Sequence, residues 1–313
     1  LSHLPSVPMR ITTLALLAPF ALVACGGEKA PEAAATDAPL AVVAEGLSTP
    51  ESVLWDATRS VWYVSNINGS PLAKDDNGYI VRRSADGAKL DSVPFINGAD
   101  ADITLNAPKG MALVGDTLWV ADIDAVRAFD VNTGNAVTSL ELGAQNATFL
   151  NDVAVAGDGT IYITDSGISF NADGSVSHPG KSRVFALVGR NAREAVVLPA
   201  QSAANGIAFD AGNNRWLIVG FNSPSVFGWT AGSDSVTVLG SGPGGGDGIV
   251  ILKDGRALYS SWADSSLYVF ENGTSTKLRG GLNAPADIGY DPRRHIVAVP
   301  LFTENRVELW QLK

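Results

Sequence analysis

One short phrase recurs six times between residues 50 and 290: a small or polar approach, one position of changing chemistry, then an apolar run. The copies are Pro50-Glu51-Ser52-Val53-Leu54-Trp55, Pro108-Lys109-Gly110-Met111-Ala112-Leu113, Leu150-Asn151-Asp152-Val153-Ala154-Val155, Ala204-Asn205-Gly206-Ile207-Ala208-Phe209, Gly246-Asp247-Gly248-Ile249-Val250-Ile251 and Pro285-Ala286-Asp287-Ile288-Gly289-Tyr290. Each is followed by a tight polar turn, such as Gly157-Asp158-Gly159 or Lys253-Asp254-Gly255, of the kind hairpins prefer. A second β-branched or aromatic run comes next, at residues 61–64, 118–121, 161–164, 216–219, 257–260 and 296–299. Third runs stand at 126–129, 183–186, 267–270 and 307–310, and fourth runs at 90–95, 137–142, 195–198 and 236–239. Almost nothing beyond residue 40 has helical spacing.

Self-similarity of this length marks a repeat architecture. Four antiparallel strands repeated six times predict an all-β, six-bladed β-propeller, in which radial closure protects the sheet edges. The last unit supplies only three strands before Lys313. Its fourth is expected from residues 40–44, so the N- and C-terminal strands share the closing blade and 40–313 is one domain.

The first 39 residues read differently. Met9, the expected true start, is followed by Arg10 and an apolar run to Ala24, the layout of a secretory signal and too short for a membrane span. The chain's single cysteine, Cys25, falls at the end of that run, so residues 1–24 resemble a bacterial lipoprotein signal with Cys25 as the acylated position. Residues 25–39, rich in Ala, Pro, Gly and acid, read as the lipidated cysteine and a flexible tether. The expectation is an exported lipoprotein on the periplasmic face of the outer membrane or cell envelope, touching membrane only through its anchor.

Geometry gives the changing position of the repeat its interest. In a propeller the innermost strand of every blade lines the channel, so Glu51, Lys109, Asn151, Asn205, Asp247 and Ala286 converge on one ring. Two carboxylates and two carboxamides suit a hard divalent cation, since Ca²⁺ takes about 6–8 oxygen ligands. A lone cysteine and three histidines leave little else for a metal to use. The formal charge of −10, with no Lys/Arg cluster, excludes a nucleic-acid partner and leaves a small-molecule ligand. Lys109 opposes a metal on this ring unless it turns to a carboxylate or an anionic ligand. The loops after the second strands, 66–76, 165–179, 221–224 and 262–264, mix aromatics with polar groups as a small-molecule pocket does.

At these residues the chain resembles the family of gluconolactonase, senescence marker protein and luciferin-regenerating enzyme. The likeness lies in Glu51-Ser52-Val53-Leu54-Trp55-Asp56, Phe149-Leu150-Asn151-Asp152, Ala204-Asn205-Gly206-Ile207-Ala208 and Gly246-Asp247-Gly248, which fall in blade order. It implies a Ca²⁺ site, with Zn²⁺ or Mn²⁺ as alternatives, ligated by Glu51, Asn205 and Asp247. It also implies that Asn151 is a fourth ligand or touches substrate, and that Asp247 is the general base of a lactone or ester hydrolase. Sugar-lactone members often carry Arg at the position of Phe149, which points this chain toward a more apolar substrate, with Lys109, Phe149 and Trp262 as substrate contacts. A non-catalytic propeller lipoprotein, a scaffold or ligand-binding module, is the competing expectation, favoured by Lys109, Phe149 and Ala286.

Other signals carry little. Gly240-Ser241-Gly242-Pro243-Gly244-Gly245 has the spacing of a pyrophosphate cradle but leads into a strand. No nucleophile elbow of the form G-x-S-x-G occurs.

Overall fold

Five of the six copies of the repeated phrase open the innermost strand of a blade, and in each of those five the strand carries a bulge at the same place. A computed structural model describes residues 38–171, 173 and 175–313. The signal-like segment, Cys25 and the tether up to residue 37 lie outside the described residues. The first blade comprises Pro50–Asp56, Val61–Asn66, Tyr79–Ser84 and Ile96–Asn97. The second comprises Pro108–Val114, Thr117–Asp122, Ala125–Asp130 and Ala136–Glu141. The third comprises Leu150–Val155, Ile161–Asp165, Arg183–Val188 and Asn191–Val197, with a small hairpin of Ser169–Phe170 and Val176–Ser177 inserted after its second strand. The fourth comprises Ala204–Asp210, Arg215–Gly220, Ser225–Trp229 and Thr237–Ser241, and the fifth Gly246–Ile251, Ala257–Ser261, Ser266–Glu271 and Thr274–Gly280. The sixth takes Gly289–Asp291, Ile296–Leu301 and Arg306–Gln311 from the end of the chain and Ala41–Val43 from its beginning.

The closing strand pairs antiparallel with the last one, Ala41 opposite Leu309 and Val43 opposite Val307, so the chain ends clasp in one blade as the repeat count requires. A four-stranded antiparallel sheet repeated six times around a channel is a six-bladed β-propeller. Aromatic and aliphatic side chains between successive blades form the core. Tyr162 of the third blade, for example, meets Trp216 and Trp229 of the fourth edge-on, at 4.8 and 5.2 Å between ring centres. Burial of such side chains contributes about 1.5–3 kcal/mol each, which is where most of the stability of a repeat fold resides.

Three details depart from the sequence reading. The first blade's outer strand is Ile96–Asn97 rather than 90–95, because Pro94 cannot donate to a ladder and Leu90 and Val93 stay in solvent. The sixth copy of the phrase touches its own second strand only through an isolated bridge, Pro285 with Leu301 and Ala286 N–H donating to Pro300 O at 3.0 Å, before the strand proper begins at Gly289. Its Asp287 N–H donates to Glu51 O at 2.9 Å and Val53 N–H to Asp287 O at 3.2 Å, a parallel bridge that closes the ring of inner strands. The fourth and fifth blades also touch along their outer strands through one parallel pair, Ser241 with Thr274. Gly240 permits it, since a Cβ there would lie 2.2 Å from Gly273 O. Among the described residues, no helix is long and apolar enough to cross a membrane.

Candidate functional site

The bulges place the ring. In each of the first five blades the ladder between the innermost and second strands loses register just after the first residue, from Pro50 to Val53, Pro108 to Met111, Leu150 to Val153, Ala204 to Ile207 and Gly246 to Ile249. A bulge leaves one residue unpaired and re-aims its neighbours. Side chains of the second strands satisfy the freed N–H groups: Ser65 Oγ accepts from Ser52 N–H at 2.9 Å, Thr164 Oγ1 from Asp152 N–H at 2.8 Å, and Ser260 Oγ from Gly248 N–H at 2.9 Å.

The approach loops are pinned by acids and amides at the ends of the second strands. Asp122 Oδ1 accepts from Ala107 N–H at 2.7 Å, Asp165 Oδ1 from Phe149 N–H at 3.1 Å, and Asn66 Oδ1 from Ser48 N–H at 3.0 Å. Buried Arg127 and Arg183 neutralise the two aspartates at 3.0 and 3.1 Å. These supports went unread in the sequence, although Val120-Ala121-Asp122 and Ile163-Thr164-Asp165 recur at one phase.

Glu51, Lys109, Asn151, Asn205 and Asp247 are thereby brought, all buried, to the floor of one cavity of about 310 Å³. Ala286, the sixth member, is buried and offers no donor. Four oxygens at this floor, Glu51 Oε2, Asn151 Oδ1, Asn205 Oδ1 and Asp247 Oδ1, are sealed from solvent and have no hydrogen-bond partner. Buried polar atoms are otherwise nearly always paired, so four orphans on one ring are what a bound cation would satisfy. Asn151 is aimed by its amide, which donates to Ser166 Oγ at 3.3 Å, while that hydroxyl donates to Ala204 O at 2.7 Å. Among the described residues, no group of three or more His, Cys, Asp or Glu is placed to hold a metal. Any ion here must therefore use the carboxamides as well.

Lys109 is tethered at the cavity floor. Its Nζ donates to Ala107 O at 3.1 Å and lies 4.4 Å from the centre of the Phe149 ring, an ammonium over an aromatic face. Burial pushes its pKa down, while Glu51 and Asp122 pull it back up.

Beneath the ring the next residue of each phrase forms a second tier, in which Asp152 and Asp287 face the channel from between Ser52, Gly110, Gly206 and Gly248. Asp152 Oδ2 accepts from Ile207 N–H at 2.8 Å, and Asp287 Oδ2 from Ser52 Oγ at 2.5 Å. Four carboxylates therefore share one buried axis with a single ammonium. Burial first, then mutual repulsion, raises Glu51, Asp152 and Asp247 well above the usual carboxylate range, Asp247 being held back in part by the side chains of Trp262 and Asn205. Burial pushes Asp287 up to about 7, against the pull of Ser52.

The burial of Asp287 has a measurable sign. Unfolded, Asp287 releases its proton near the ordinary value of about 3.9; folded, it holds it to about 7. Between those values the folded state binds the extra proton, so the contribution to stability is complete below about pH 4 and is lost as pH rises through 7. In chelator-treated protein, urea unfolding at pH 5 and 7 should show Asp287→Asn losing about 1 kcal/mol less per pH unit than the parent chain. Parallel stability curves for the two proteins would contradict the raised pKa of buried Asp287.

The cavity walls are of another kind. Ile67, Pro71, Phe149, Ile168, Phe170, Phe221, Trp262 and Phe302 surround it above the floor. Phe221, Trp262 and Phe302 form a chain of ring contacts at 5.4 and 5.3 Å, and Phe149 meets Phe170 edge-on at 6.0 Å. The loops after the second strands supply most of these, as the sequence suggested, but the sixth blade's Phe302 was missed. Its signal was available: Ile67, Ile123, Ser166, Phe221, Trp262 and Phe302 each stand one residue past the end of a second strand. Phe149 has room because its phase-mates are Thr49, Ala107, Ala203, Gly245 and Ala284.

The sequence matches no protein-family profile and no curated protein. Its backbone does match solved structures. A gluconolactonase of Xanthomonas campestris superposes with a TM-score of 0.62 at 16% identity, over 91% of this chain and 96% of that one. A protein proposed to be a gluconolactonase gives 0.61 at 15% identity, over 90% and 92%. The likeness is one of fold. A streptogramin B lyase shares it too, with a TM-score of 0.58 at 12% identity over 90% and 97% of the two chains, and one fold hosts many reactions. The activity has to be argued from the cavity.

Proposed function

We propose that the protein is a metal-dependent hydrolase of a lactone or ester, working in the cavity above the ring. The observation that carries this reading is the convergence of four buried, unpartnered oxygens on one cavity floor. Glu51, Asn151, Asn205 and Asp247 would hold a divalent cation, and the charge of Glu51 and Asp247 matches it. Ca²⁺ fits this all-oxygen set best. When bound, such a cation supplies Lewis-acid polarisation of the substrate carbonyl. The two solved gluconolactonase-type propellers of the same fold support the choice of reaction class.

The chain's own groups would carry the proton. Asp247, with one carboxylate oxygen on the cation, would accept through the other the proton of the attacking water as that water's oxygen bonds to the carbonyl carbon. The carbonyl–alkoxy C–O bond then breaks, and Asp247 returns the proton to the departing alkoxide. A lactone thus yields one hydroxy acid with no covalent enzyme intermediate. Asn151, held by Ser166, orients the carbonyl, and the aromatic walls keep bulk water from the reacting carbon.

The test is turnover of a lactone and ester panel by chelated protein, before and after Ca²⁺, Zn²⁺ or Mn²⁺ is restored. Chelation should abolish hydrolysis, one of these ions should restore it, and that ion should raise the melting temperature. At a hundredfold excess over Kd, binding adds about 2.7 kcal/mol of stability. Full turnover in protein shown by elemental analysis to be metal-free would sink the proposal.

A further inference from the structure

The substrate class of this site can be read from the separation of its floor from its walls, an inference that rests on the hydrolase reading. All polar side chains of the cavity lie at the floor, and one of them, Ser166, is already committed to Asn151 and Ala204. Above it, four of the residues just past the second strands, Ile67, Phe221, Trp262 and Phe302, present no polar side-chain atom except the indole N–H of Trp262, while Ser166 of the same phase is turned to Asn151 and Ala204. Phe170, carried by the inserted hairpin and still partly in solvent, continues the apolar wall at the mouth. A polyhydroxylated ring placed here would bury several hydroxyls against carbon, at about 1–3 kcal/mol for each one left unpaired. A cavity of about 310 Å³ also stands at the small end of ligand sites.

The floor has one further feature. Lys109 Nζ carries three donors, of which one goes to Ala107 O, and the Phe149 face shields it on another side. With a divalent ion balancing Glu51 and Asp247, this ammonium is the one charge of the cavity lining left unmatched, Asp152 and Asp287 lying in the tier beneath. Hydrolysis releases a carboxylate at that floor. We infer that the substrate is a small lactone or ester that is apolar everywhere except at its reacting carboxyl group, with a short alkyl or aryl substituent against Phe170, Phe221, Trp262 and Phe302, and that Lys109 pairs with the carboxylate product.

Two measurements on the full-length, Ca²⁺-loaded protein test this. The first compares turnover of δ-valerolactone bearing a short alkyl chain with glucono-δ-lactone; the alkyl compound should lead by at least about 100-fold in kcat/KM. The second follows binding of 3-phenylpropanoate, 3-phenylpropanol and gluconate by calorimetry. The apolar carboxylate should bind at least about 10-fold tighter than the alcohol or the sugar acid. Lys109→Met should erase the preference over the alcohol, Lys109→Arg should keep it, and Phe170→Ala should weaken all apolar ligands alike. Should Lys109→Met fail to fold, Lys109→Gln, which keeps a donor without the charge, provides the same comparison, and an unchanged carboxylate preference in it would overturn the role of Lys109. Preference for the glucono-lactone would overturn the apolar class and leave the hydrolase reading standing. Tight binding of 3-phenylpropanoate without turnover of any lactone would overturn the hydrolase reading and support the class. Equal affinity for acid and alcohol would overturn the role of Lys109.

Discussion

Asp247→Asn should cost hydrolysis about 10²–10⁴-fold and, in metal-free protein at neutral pH, raise stability. The two effects have one origin. Asp247 is buried, its Oδ1 has no partner, and burial together with Asp287 raises its pKa well above the ordinary value. As a base it can take a proton from water, and removing a positioned base loses about that factor. In the apo fold its carboxyl must either hold a proton or stand as an uncompensated charge, and asparagine keeps its shape without that cost. Stability surrendered for a functional site is a recurrent trade. For a propeller of this size a gain of 1 kcal/mol appears as roughly 2–4 °C in Tm. The stabilisation by Ca²⁺ should fall in the same variant, because one of two ring charges is gone. Thermal unfolding with and without chelator, beside turnover of the best lactone, reads all three quantities. Retained turnover would remove Asp247 from the chemistry. A lower apo Tm would show that its charge is compensated in a way the ring does not reveal.

The ring was legible in the sequence because a propeller turns repeat phase into position: Glu51, Asn151, Asn205 and Asp247 share a phase, so they share a cavity floor. The upper wall obeys the same rule, and Phe302 was overlooked only because the phase was read on the inner strands and not on the ends of the second strands. What did not follow from phase is local geometry. The direction of Lys109, toward Ala107 O and the face of Phe149, depends on the one aromatic in a column of small residues. The ring closure depends on a parallel bridge between Ser52 and Asp287, 235 residues apart, which no local pattern announces. Asp122 and Asp165 read as ordinary strand ends until their carboxylates are seen to hold the approach loops.

The repeat also explains why glycine stands beside the ring, and the second large effect follows from it. Gly206 should not tolerate alanine. Its backbone has no left-handed conformation to protect, so the objection is purely one of space: a Cβ would sit 2.2 Å from Asp247 O and 2.9 Å from Ile249 N. Both contacts are backbone of the neighbouring blade's innermost strand, and that strand is held by the ladder to its own second strand. No rotamer change relieves the clash, so the two blades must part at the channel. Overpacking usually costs about 1–3 kcal/mol, and this instance belongs at or above the top of that range. Because the displaced carbonyl is that of Asp247 itself, Ca²⁺ affinity should fall along with stability. Gly255→Ala provides the contrast. That glycine lies in a hairpin turn at φ 89° with nothing within 4 Å of the added methyl, so its cost is conformational, about 1 kcal/mol, and the ring is untouched. Urea unfolding and calcium titration of the two variants should therefore diverge, Gly206→Ala losing both stability and metal and Gly255→Ala losing only a little of the first. If Gly206→Ala unfolds within 0.5 kcal/mol of the parent, the inner strands are looser than the close approach at Asp247 requires, and the preorganised ring goes with them.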